Sequence, residues 1–321
     1  MIEAQNLVKR YGSTTAVSDL SFSIRPGMVT GFLGPNGAGK TTTMRMILGL
    51  DAPTHGSVTV DGRSYRDLSA PMRKVGALLD AKALHGGRRA YDHLLCLAQS
   101  NGIPRSRVDE VLHVVGLEGA AKRRAKGFSL GMGQRLGIAS ALLGDPEVLI
   151  FDEPVNGLDP EGIHWVRTLM HGLAAEGRTV LVSSHLMSEM AVTADHLLVI
   201  GKGQLIADAS LDEFVRSSSK HSVHVRSPQA AELAARCREA GASVRDSSTC
   251  RMATDPAVDT NARTAPDVIE ITGMESEAVG SLAAAHGIVL FELTPVQASL
   301  EEAFMELTRA SVEYQARVAT P

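Results

Sequence analysis

Residues Gly34–Thr41 read GPNGAGKT, a match to G-x-x-x-x-G-K-[ST] with every fixed position filled. The segment before it, MVTGFLG, is short and apolar, and the segment after it, TTTMRMILGL, has helical character. A strand that runs through a glycine-rich loop into a helix aims successive backbone N–H groups at one spot, and the helix N-terminus adds a dipole that favours anions. Lys40 then reaches β and γ phosphates, and Thr41 offers its hydroxyl to Mg2+. The stretch predicts a nucleoside triphosphate site with Gly34, Asn36, Gly37, Ala38, Gly39, Lys40, Thr41 and Thr42 around the phosphates. It also predicts an α/β fold, because strand–loop–helix units build parallel sheets.

Working outward, VLIFDEP at Val148–Pro154 is an apolar strand ending in two acids. Charge at the end of a buried strand is costly unless a cation or a reaction uses it. Asp152 suits a Mg2+-organising carboxylate, and Glu153 could polarise an attacking water. RTVLVSSH and HLLVIGKGQLIAD each read as a short, fully buried strand. Between the phosphate loop and the acidic strand, about Asp80 to Lys126, the pattern turns helical, in AYDHLLCLAQS and RSRVDEVLHVVGLEG. FSLGMGQRLGIASALL, Phe128–Leu143, is a Ser- and Gly-rich turn entering a helix, with Ser129 a reasonable N-cap. The basic run Lys122, Arg123, Arg124 and Lys126 before it reads as a solvated face, or as a salt-dependent contact with a partner's acidic loop.

After a polar junction, SSSKHS, the chain alternates strand, helix, strand, strand, helix and strand through HSVHVRS, PQAAELAARCREAG, ASVRDSSTCRMAT, DVIEIT, ESEAVGSLAAAHG and IVLFELT. That order is the split βαβ, or ferredoxin-like, unit. A last amphipathic helix is expected over about Leu300–Ala310, and an exposed loop over Asp255–Pro266. Across 321 residues, Lys plus Arg number 32 and Asp plus Glu 36, for a net charge of −4. With only 4% aromatics, neither a global field for a phosphate backbone nor a base-stacking platform is present, so nucleic acid is excluded as a partner. Cys96, Cys237 and Cys250 form no CxxC pair, hence no disulfide framework or zinc site is signalled. No apolar run approaches the roughly 18 residues a membrane span needs, so a cytoplasmic protein is the default expectation.

In their order, these motifs resemble the nucleotide-binding subunits of ABC transporters, over about residues 2–215. GPNGAGKT is similar to the Walker A motif, FSLGMGQ to the ABC signature, VLIFDEP to Walker B, NGLD at Asn156–Asp159 to the D-loop, and His185 in SSHLMSE to the switch histidine. Tyr11, in LVKRYGSTTAV, falls where the family sets an aromatic ring against adenine. The resemblance implies a P-loop ABC ATPase domain over 1–216 with a helical subdomain over about 80–134. It implies ATP and Mg2+ as ligands, with Thr41, Asp80 and Asp152 on the metal side. Glu153, Lys40 and His185 would be catalytic, and Tyr11 and Asp159 would join the nucleotide contacts. It also implies a head-to-tail homodimer, in which Ser129 and Gly131 of one copy face the γ-phosphate held by the other.

Two positions depart from the family pattern. Aligning Ser129 with the serine of LSGGQ puts Leu130 on the first glycine and Met132 on the glutamine. The Q-loop glutamine is replaced by Asp80, which can face Mg2+ or its waters but, as an acceptor only, cannot reproduce an amide's contacts. The tail, residues 217–321, with LTPVQASLEEAFMELT, is similar to that of the daunorubicin-type drug-export ATPases, as an accessory ferredoxin-like α+β domain. That resemblance implies an ATPase subunit on the cytoplasmic face of a bacterial membrane, energising export of a hydrophobic or amphiphilic compound (a drug, antibiotic or lipid-like molecule) through a separate permease. The other reading is a non-transport regulatory or mechanical ABC ATPase acting on a soluble partner. A kinase or GTPase lacks support, as no NKxD follows the phosphate loop.

Overall fold

Val29–Leu33 is apolar except for one threonine and one glycine, and every residue of it is buried, which fits only the middle of a sheet covered on both faces. In the computed structural model, which describes residues 1–81, 83–216, 222–246, 267–296 and 299–308, that segment is strand β3 of a six-stranded sheet. Numbering the strands along the chain as β1 Ile2–Tyr11, β2 Thr14–Ile24, β4 His55–Val60, β5 Val75–Leu78, β6 Val148–Asp152, β7 Thr179–Ser184, β8 His196–Gly201 and β9 Gln204–Ser210, the sheet order is β5-β6-β7-β3-β8-β9. β5 to β8 pair in parallel; only β9 runs antiparallel, against β8.

HLLVIGKGQLIAD is therefore two strands, correcting the sequence expectation of one. Lys202 and Gly203, both at positive φ, turn the chain back, and β9 at the sheet edge is only partly buried. Sequence reading also passed over a second sheet, antiparallel, in the order β2-β1-β4. It packs with the main sheet into one core that includes Ile2, Leu7, Phe22, Phe32, Met44 and Ile150.

The helices are α1 Lys40–Ile47, α2 Pro71–Lys74, α3 Ala90–Ser100, α4 Ser106–Val114, α5 Leu130–Leu142, α6 Pro160–Ala175 and α7 Met187–Met190. α3 buries Ala90, Leu94 and Ala98, and α4 buries Val108, Val111 and Leu112. These spacings put one apolar face on each helix. Both helices lie in the segment between β5 and β6, and both pack with α5.

Two compact units divide the described chain, Met1–Leu211 with the last described residues from Leu307, and Asp212–Glu306. The second contains β10 Ser222–Ser227, α9 Ala230–Glu239, β11 Ser243–Asp246, β12 Asp267–Thr272, α10 Ser276–Ala285 and β13 Glu292–Val296, after α8 Leu211–Arg216 and before α11 Leu300–Thr308. Its four strands form an antiparallel sheet in the order β11-β12-β10-β13. Val223, Val225, Leu233, Cys237, Ile269 and Ile271 share its core. The last strand begins at Glu292, so IVLF of IVLFELT precedes it rather than opening it. The expected loop Asp255–Pro266 and Cys250 lie outside the described residues. No described helix is long and apolar enough to cross a membrane.

Candidate nucleotide site

The phosphate loop joins the end of β3 to α1. At its last turn Gly39 has φ +104°, and a Cβ there would lie 2.6 Å from the carbonyl oxygen of Ala16. Both facts require glycine, and the same backbone places N–H groups at the start of α1. A cavity of about 290 Å3 opens over the loop, lined by Asn36, Gly37, Ala38, Gly39, Lys40, Thr41 and Thr42, with Ala16, Leu79, Asp152 and Glu153. Gly34, which opens the loop, packs so closely that a Cβ there would meet the carbonyl of Ile200 at 2.4 Å.

The Lys40 ammonium donates to the carbonyl of Gly34 at 2.6 Å and to that of Pro35 at 3.3 Å. Only 7% of Lys40 is exposed. Burial pushes its pKa down, while Glu153 and Asp152 pull it back up. Incoming phosphates would add charge of the sign this lysine lacks.

β6 ends one strand away from β3 with β7 between them, and this order brings the acidic pair to the loop. The Thr41 hydroxyl donates to Asp152 Oδ2 at 2.6 Å, across 111 residues of chain, and the Ser183 hydroxyl donates to Asp152 Oδ1. Glu153 adopts a left-handed φ of +52°, a strained conformation for a residue with a side chain. It is held there from both sides of its own backbone. Its N–H donates to Ser183 Oγ at 3.0 Å, and its carbonyl accepts from Gln134 Nε2 at 3.0 Å. The side chain then meets His185, Oε2 to Nδ1 at 2.8 Å. Ser183 and Gln134 escaped the sequence reading. Both lay inside segments already singled out, RTVLVSSH and FSLGMGQ, but neither carries a motif of its own.

Thr41 and Asp152 offer two hard oxygen donors in the cavity wall, a donor set that suits Mg2+ sharing its other positions with phosphate and water. Asp80 follows Leu79, which lines the cavity; it is exposed, and its carbonyl accepts from Ala83 N. Tyr11, 48% exposed, is absent from the cavity wall. Its hydroxyl donates to Asp51 Oδ2 at 2.9 Å, and the Lys9 ammonium sits 4.9 Å from its ring centre. Asp51 is in turn paired with Arg45 of α1 at 2.8 Å.

Besides Tyr11, three residues expected at a nucleotide do not line this chain's own cavity. Ser129 is the N-cap of α5, accepting from Met132 N at 3.2 Å. Gly131 lies against Leu158 and Gly157. Asp159 is the N-cap of α6, accepting from Gly162 N at 2.9 Å.

Residues 17–156 match a family model described as ABC transporter, and residues 221–301 match one described as a domain of unknown function. The chain is 42% identical to the bacitracin transport ATP-binding protein BcrA of Bacillus licheniformis, over 69% of this chain and 73% of that protein. It is 36% identical to the uncharacterised ABC transporter ATP-binding protein YhcH of Bacillus subtilis, over 98% of this chain and 97% of the relative. Among solved structures, a dimeric ATP-binding cassette in a post-hydrolysis state with ADP and phosphate superposes with a TM-score of 0.60 at 26% identity, covering 66% of this chain and 99% of that one. Similarity along nearly its whole length, together with a phosphate loop that faces an acidic strand end, makes the chain an ATPase belonging to the ATP-binding proteins of ABC transporters.

Proposed function

We propose that this chain is the ATPase subunit of an exporter for a hydrophobic or amphiphilic compound, working as a homodimer beneath a separate permease at the cytoplasmic face of a bacterial membrane. The observation that supports it most is the convergence of Lys40, Thr41, Asp152 and Glu153 on one phosphate cavity, with His185 held against Glu153, in a chain similar to a bacitracin transport protein. Lys40 and His185 oppose charge that develops on the transferring phosphoryl group, and Glu153 orients and deprotonates the attacking water. Thr41 and Asp152 would hold Mg2+, which would supply positive charge against the phosphates. Ser129, Gly131 and Asp159 complete the nucleotide site of the other copy. Asp80 would reach the metal through a water. The unit from Asp212 is an accessory domain. Purification of the chain from detergent-solubilised membranes should retrieve a polytopic permease, and vesicles holding the pair should show ATP-dependent efflux. Recovery of a soluble partner with no permease would favour a regulatory ATPase instead.

Asp80→Ala is expected to lower ATPase rate severalfold and to shift its Mg2+ dependence to higher concentration. An unchanged Mg2+ titration removes Asp80 from the metal side.

Tyr11 supports the base, and its orientation depends on Asp51. Asp51→Ala frees the hydroxyl and uncouples the ring from α1. ATP binding is expected to weaken by roughly tenfold, the scale of one lost aromatic–base contact. Tripolyphosphate, which has no base, should bind as before. Isothermal titration with both ligands checks this, and equal losses would assign Asp51 to the phosphate loop.

A further inference from the structure

The basic run Lys122–Lys126 does not stand alone in the folded chain. Residues 86–91 and 121–126 lie side by side as an antiparallel ribbon. Lys126 N donates to Gly86 O at 3.0 Å, Ala125 N to Arg88 O at 2.9 Å, Ala90 N to Arg123 O at 3.1 Å and Tyr91 N to Ala121 O at 3.0 Å, with Arg89 and Arg124 directly opposed. The pairing therefore sets Arg88 and Arg89 beside Lys122, Arg123, Arg124 and Lys126. All six are exposed.

Arg123 folds onto its own segment, donating to Gly127 O at 3.2 Å and lying 5.8 Å from the Phe128 ring centre. The other five make no ion pair with a described residue, and neither stretch of the ribbon contains an acid. Two carboxylates, Asp92 and Asp109, share a recess of about 480 Å3 with Arg89, Arg105 and Lys122. Cations outnumber acids even there. A chain of net charge −4 thus concentrates uncompensated positive charge on one surface, where each like-charged neighbour raises the cost of the others.

We propose that this ribbon binds the anionic headgroups of the membrane's inner leaflet directly. The proposal rests on the reading of the chain as a transporter ATPase at that surface. Charge complementarity requires an anionic occupant, and the side-chain chemistry selects lipid over protein. Protein interfaces centre on buried aromatic or apolar anchors around which charged groups form a rim. None of the exposed large hydrophobic residues falls on the ribbon. A layer of phosphodiesters needs no such anchor; it attracts a cluster of four to eight cations through charge alone, and loses it as salt rises. The ribbon is held by backbone bonds, so the cationic side chains other than Arg123 can follow mobile headgroups.

The test is co-flotation of the full-length chain, without permease, with vesicles of phosphatidylcholine alone or mixed with phosphatidylglycerol. Binding is expected only to the anionic vesicles at low salt, and should fall as salt is raised. Arg89→Gln, Lys122→Gln and Arg124→Gln combined should reduce it by about a hundredfold. Arg89→Lys with Arg124→Lys should retain it, which a role in holding the fold would not allow. ATP binding should be the same in all variants. Wild-type chain that ignores anionic vesicles overturns the proposal, as does a triple Gln variant that floats as well as wild type. A triple variant that floats normally but no longer retrieves a permease would make the ribbon a protein-docking face and also overturn it. Because the vesicles carry no permease, failure of this assay leaves the exporter reading to its own test.

Discussion

Glu153→Gln should lower the rate of phosphate release by about 10²–10⁴-fold, the usual contribution of a positioned general base, while leaving ATP affinity within a few-fold of wild type. The glutamine is isosteric and can keep the contact with His185 Nδ1 now made at 2.8 Å, and the backbone bonds from Ser183 and Gln134 do not involve the changed group. The ability to accept a proton is lost; the shape of the cavity is kept. With ATP present, the variant should accumulate as a dimer, because the γ-phosphate that joins the two copies is no longer removed. Size-exclusion chromatography with ATP, beside a phosphate-release assay, measures both effects. Wild-type turnover would take the role of base away from Glu153.

The second large effect concerns residues absent from the chain's own cavity. Lys40→Ala removes a buried cation that faces phosphate, and Ser129→Arg puts bulk and charge on an exposed N-cap. Each variant alone should be inactive. Mixed one to one, random exchange makes half of the dimers heterodimers, each with one cavity that has both an intact Lys40 and an intact Ser129. About a quarter of wild-type sites should therefore return, if a closed two-fold pair shares its sites. No recovery on mixing would mean that Ser129 acts within its own chain. Losing the Ser129 cap costs about 1 kcal/mol, so a thermal melt of Ser129→Arg is needed to separate poor folding from a blocked interface.

Both predictions depend on placements of different origin. GPNGAGKT was legible because its chemistry is local: eight consecutive residues supply the glycines, the lysine and the hydroxyl, and the flanking apolar and helical patterns identify the strand and helix that hold them. The helices around Leu94 and Val111 were legible for the same reason, since one apolar face per helix is a property of spacing. The hairpin β8–β9 was misread because both strands are apolar and only the two-residue turn Lys202–Gly203 divides them. The β2-β1-β4 sheet went unnoticed because β1 and β2, a hairpin that closes where Tyr11 pairs with Thr14, were read only for Tyr11, and β4 joins them through a distant pairing of Val60 with Ile2.

By itself, then, the sequence determined the phosphate loop, its α/β setting, and the kinds of side chain available for hydrolysis. Tertiary structure alone decided which of them meet. The parallel order β6-β7-β3 carries Asp152 to Thr41 and Ser183 to Asp152, and the turn after β7 carries His185 to Glu153. It also leaves Ser129 and Asp159 as helix caps away from that cavity, and it pairs two short basic segments into one surface. Motif chemistry acts over a few bonds, so neighbours in sequence can announce it. Hydrogen bonds and charge repulsion act through space, and their partners are fixed only once strand order and backbone pairing have been set.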